Sequence, residues 1–94
     1  MKKIELLING EKKVFTVPFV SGWAWRKYIE AQVAAEDLYN LTEDEFDNFA
    51  YVVVFAFNEQ FTLEEFYKGI PYTKIMSTVE GLFTPPKGEG TGKK

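Results

Sequence analysis

The sequence predicts an α+β fold, an N-terminal β-hairpin packed on a small bundle of three to four α-helices, and three observations carry that prediction. Two short alternating runs, KIELLI (Lys3 to Ile8) and KVFTV (Lys13 to Val17), flank Asn9-Gly10, the strongest short hairpin signal. Thr42 with Glu45, and again Thr62 with Glu65, have the spacing of a capping box and are each followed by apolar residues at helical intervals. From Thr84 the chain turns to PPKGEGTGKK, without an apolar anchor, so residues 1–83 read as a single globular domain and 84–94 as a flexible Pro/Gly/Lys tail.

In the hairpin, a two-residue turn would pair Leu6 with Lys13. A four-residue loop, Asn9 to Lys12, places Leu6 opposite Phe15 and Ile4 opposite Val17, and the alternation favours this longer loop. Either way Ile4, Leu6, Phe15 and Val17 form the face that lies on the helices. Pro18 ends the second strand, and Ser21-Gly22 caps a first helix running to about Glu36 or Asp37. Trp25, Ile29 and Val33 mark its expected buried stripe, while the alanines at 24, 31 and 35 offer a side for close helix approach. Trp23 projects on the polar side with Arg26, Lys27 and Glu30; such a ring either anchors a partner or folds back under the hairpin.

The central stretch, Thr42 to Asn58, reads as a capped helix with Leu41 and Phe46 as a hydrophobic staple. Its YVVVFAF segment is β-branched enough to suit a strand, but the capping box and the total length decide for helix. Phe46, Phe49, Ala50, Val53, Val54, Ala56 and Phe57 make one broad apolar arc. Tyr51 and Phe55 fall outside it, one turn apart on the side of Asp44, Asp47 and Asn48, so two rings are left to face something else. A third helix starts at the Thr62 box with Phe61 and Phe66 as its staple, and Gly69 is expected in the left-handed position past its end. After Pro71 a last helix, about Tyr72 to Phe83, would turn Tyr72, Ile75, Met76, Val79, Leu82 and Phe83 inward.

Composition excludes more activities than it suggests. Ninety-four residues can bury roughly 60 to 68% of the surface of the unfolded chain, and sixteen aromatics are ample to fill that core with some left for a partner. The chain has neither Cys nor His, which removes disulfides, the commonest zinc ligands and the usual general base. Ser21 and Ser77 therefore lack an activating base, and the acids of 43–47 lack the spacing of a calcium loop while suiting a helix's first turn. No catalytic, cofactor or metal site is expected, and the chain reads as a non-enzyme. No signal peptide is apparent, and the longest apolar run, Ala50 to Phe57, is far short of the ~20 residues of a membrane span, so a soluble cytoplasmic protein with no membrane partner is expected.

Charge is strongly partitioned. Residues 1–30 carry +3, residues 31–66 carry nine acids and no base, and residues 67–94 carry +3. Copies could thus associate basic end to acidic middle, or the charges could simply solvate a greasy small protein. Lys2, Lys3, Lys12 and Lys13 at the ends of the ribbon read as guards of exposed strand edges rather than phosphate contacts, and no nucleic-acid partner is expected.

The layout as a whole resembles the tail assembly chaperones of long-tailed bacteriophages: an N-terminal ribbon, a Trp-bearing helix, an acidic capped helix rich in Phe and Val, FTLEEFYKGI leading through PYTKIMSTVEGLF, and a Gly/Pro tail. The likeness spans most of Met1 to Phe83. It implies a non-virion protein of the infected host's cytoplasm that coats and solubilises the tape-measure protein. It further implies recruitment of tail-tube protein through a longer frameshifted form, and self-association. Trp23, Tyr51 and Phe55 are then the expected partner interface, with no functional residue carried over from the family itself. The rival expectation is a small structural tail-completion or connector protein of the virion.

Overall fold

The computed structural model describes residues 1–83; the predicted tail, 84–94, lies outside the described residues. Asn9 and Gly10 take φ of 53° and 81°, the two positive angles that a type I′ turn requires. The hairpin consequently closes through two residues. Strands β1 (Lys2–Ile8) and β2 (Glu11–Val17) pair antiparallel, with Leu6 opposite Lys13, Ile4 opposite Phe15 and Lys2 opposite Val17. The four-residue loop expected from alternation is thus corrected by two residues of register. A slip of two keeps every side chain on its own face, so the apolar pattern fits both registers and the turn dipeptide decides. Ile4, Leu6 and Val17 are buried and Phe15 half-buried on the shared inner face.

The core is built around α2 (Glu43–Ala56), on which Phe49, Ala50, Val52, Val53, Val54 and Ala56 are all buried. Burial of Val52 as well as the predicted arc means that α2 is covered on more than one side. Its start is fixed as the sequence predicts: the Thr42 hydroxyl accepts from Glu45 N–H (3.2 Å), and the Glu45 carboxylate accepts from Thr42 N–H (3.0 Å). Helix α1 (Gly22–Ala34) lies along one side of α2, and its N-cap Ser21 accepts from Ala24 N–H. Beyond α2, Asn58 and Glu59 both take left-handed φ, and Glu59 N–H closes the turn on Val54 C=O at 2.9 Å.

Helix α3 (Leu63–Gly69) carries the second capping box and sets Phe66 in the core. The predicted left-handed role of Gly69 is corrected, since this residue is the last of the helix and its φ is not positive. Its use is contact: a Cβ there would stand 2.9 Å from Leu7 O and 3.0 Å from Leu6 Cβ, so only glycine lets α3 touch β1. After Pro71 a 3₁₀ turn (Tyr72–Lys74) leads into α4 (Ile75–Gly81). Ile75, Val79 and Leu82 are buried and Met76 and Phe83 half-buried, whereas Tyr72 stands exposed because the tighter 3₁₀ winding rotates it off the inner face. The open end of the hairpin is tied down from both strands: Lys2 Nζ donates to Gly81 C=O (2.9 Å), and Gln60 Nε2 donates to Thr16 C=O (3.0 Å).

Candidate functional site

Helix α1 meets α2 through its smallest residues. Ala24 and Ala31 are fully buried, with Tyr28 and Ala35 beside them, and this lets the two helix backbones approach closely. The expected buried stripe is overturned: Trp25, Ile29 and Val33 are 47%, 41% and 81% exposed. On a helical wheel the buried side is rotated by roughly 130° from that stripe. The reason is geometric. A helix with one main neighbour buries a narrow face, and the alanine side gives the closer fit, while Trp25 is left at the margin against Tyr28 and Phe83 (5.7 and 5.1 Å between ring centroids).

This rotation brings the three candidate interface residues into one place. Trp23 is 54% exposed and stands beside Lys27, whose Nζ lies 4.7 Å from the indole centroid and 6.0 Å from that of Phe55. Phe55 is half-buried and stacks on Tyr51, with ring centroids 5.7 Å apart, while Tyr51 is 43% exposed. Lys27 also reaches Glu30 at 3.4 Å, and Glu30 takes Arg26 at 3.2 Å, so a short charged row borders the rings. Between the helices runs a shallow depression of about 340 Å³ lined by Lys27, Ala31, Asn48, Tyr51 and Phe55 among others.

Apolar surface continues over the outer side of α1 through Ile29 and Val33, and the loop beyond it exposes Leu38 and Tyr39. That loop is held by Asp37, whose carboxylate accepts from Tyr39 N–H and Asn40 Nδ2; the Asn40 bond, then the Tyr39 bond, hold its pKa below the ordinary value. Periodicity alone assigns Trp25, Ile29 and Val33 to the core and so misses half of this surface. The alanines at 24, 31 and 35, which the sequence offers as the side for close helix approach, are the side that α1 packs on α2, and ranking that side above the apolar stripe finds the rest of the surface.

Chemically this is an exposed aromatic and aliphatic surface bordered by ion pairs. Among the described residues no cluster of acids could hold a metal ion, and no helix is long and apolar enough to cross a membrane. Exposed indole and phenol rings, framed by ion pairs, are the composition with which proteins hold other proteins. No curated protein and no solved structure matches the chain. A family profile described as phage tail chaperone protein matches residues 1–93, nearly the whole sequence, and with the hairpin, the two capped helices and the open aromatic surface it gives one conclusion: the chain belongs to the phage tail chaperone proteins.

Proposed function

We propose that the chain binds the tape-measure protein during tail assembly and keeps it soluble through the surface formed by Trp23, Tyr51 and Phe55. The observation that supports this reading is the gathering of those rings around Lys27 on the open side of the α1–α2 pair. Rings of this kind cover apolar stretches of a client at little entropic cost, and many copies along a long client would add weak single contacts into firm binding. The acidic middle and basic ends of the chain provide complementary patches for neighbouring copies on the same client. In this reading a longer frameshifted form recruits tail-tube protein, and the chaperone acts in the cytoplasm of the infected host and is left behind by the finished particle.

The test is co-expression of the tape-measure protein with the native chain or with Trp23→Ser/Tyr51→Ser. Phe55 stays unchanged because it is half-buried, whereas the two altered side chains are exposed enough that melting should shift by no more than about 5 °C. Loss of two aromatic anchors worth about 2 kcal/mol each should drop soluble tape-measure protein by tenfold or more. Unchanged client solubility with a folded variant would rule the surface out.

A further inference from the structure

A second surface lies along the open edge of β1 and involves none of the three rings. The two-residue turn makes Ile8 and Glu11 a hydrogen-bonded pair, so Leu6, Ile4 and Lys2 also bond to β2, and the backbone groups of Lys3, Glu5 and Leu7 point away from it. Among the described residues outside the hairpin no group bonds to the N–H or C=O of Lys3 or Glu5. Gly69 closes the Leu7 end of this edge by lying against its backbone. The rest opens into a groove of about 830 Å³ between β1 and the segment that runs from Gly69 into α4.

The groove has the opposite sign to the chain. Five lysines line it (Lys2, Lys3, Lys12, Lys68 and Lys74) against a single acid, Glu5, although the whole sequence carries −3. Lys3, Lys12 and Lys74 have no ion-pair partner among the described residues, while Lys68 is engaged by Glu64 at 2.8 Å. Its floor is apolar, formed by Leu6, Phe57, Ile70 and Leu82. The lysines guard this edge against a neutral or basic strand, and the same cationic rim favours an acidic one.

We propose that this groove takes an extended acidic segment of another polypeptide, which adds to β1 as a third strand. Its backbone bonds to Lys3 and Glu5, its alternate apolar side chains face the floor, and its carboxylates meet the lysine rim. The chain itself supplies no such segment. Residues 84–94 carry three lysines and one glutamate, Glu43, Asp44 and Glu45 are wound into the first turn of α2, Asp47 is held by Tyr67, and Asp37 is tied to its own loop. A nucleic acid would satisfy the lysines but has no amide ladder to offer the strand edge.

The test uses the full chain and a fluorescein-labelled hexapeptide of alternating glutamate and valine, followed by anisotropy and by amide hydrogen exchange. Saturable binding is expected, together with slowing of exchange at Lys3 and Glu5 by about tenfold or more. Lys3→Glu/Lys74→Glu, on two side chains that make no described bond, should weaken binding by about tenfold or more without changing the fold. No saturable binding overturns the proposal, as does binding that leaves exchange at Lys3 and Glu5 as it is in the free protein. Displacement by oligothymidylate with those amides still exchanging freely would mark an undirected polyanion surface and overturns it equally. The exchange reading is made on the native chain, so it stands even where the variant misfolds.

Discussion

Tyr67 of α3 donates its hydroxyl hydrogen to the Asp47 carboxylate on α2 and stacks on Phe46, ring planes 5° apart with centroids separated by 5.8 Å. Burial first, and then the bond to Asp47, push its pKa well above the ordinary 10.0. The folded state therefore favours the neutral phenol. Because the folded value is the higher one, this contribution is fully present below about pH 10 and is lost as pH rises beyond it, where the unfolded chain ionises first. Denaturant midpoints of the native chain should accordingly fall more steeply above pH 10 than those of Tyr67→Phe, and the two proteins should differ by about 1 kcal/mol at neutral pH. Equal alkaline slopes would show that the phenol is not held. Asp47 reads in the sequence as one more acid in a helix's first turn; its partner lies twenty residues away, and no local pattern could reveal that pairing.

The elements show the same division between what is written locally and what is decided by neighbours. Both capping boxes form where their spacing places them, because a cap is a contract between residues three apart. The face that α1 buries was not legible in this way, since its apolar stripe and its alanine side are both plausible until the partner helix is known. With the alanine side buried, Val33→Ser should change stability by no more than about 0.5 kcal/mol. A core valine would cost about 2 kcal/mol or more, so urea denaturation separates the two. Gly69 makes the opposite point. An alanine there would gain about 1 kcal/mol of helix propensity. Its methyl would, however, press on the Leu7 backbone at 2.9 Å, and overpacking of about 1–3 kcal/mol should win, lowering the melting temperature. A Gly69→Ala protein that melts higher than the native chain would mean that α3 does not rest on β1.

At the scale of the whole molecule, a small chain with sixteen aromatics buries four of its Phe rings almost completely, Phe49, Phe57, Phe61 and Phe66, and still exposes Phe19, both tryptophans, Tyr39, Tyr51 and Tyr72. Composition already announced that surplus, and the helical wheel picked out Trp23, Tyr51 and Phe55. What it could not supply was their convergence around Lys27, which depends on how α1 is rotated against α2. The hairpin was legible as an element, and only its register needed the turn geometry to settle it. Apolar surface left open on a folded, acidic domain is a liability unless another polypeptide covers it, and that covering is the heart of the proposed role. Oxidative footprinting of the tape-measure complex reads it directly. Trp23 and Tyr51 should lose reactivity by about fivefold or more on complex formation, as side chains at the centre of an interface do, while exposed Tyr72 keeps its own. A soluble complex in which Trp23 and Tyr51 react as fast as in the free chain would place the client elsewhere and contradict the proposal.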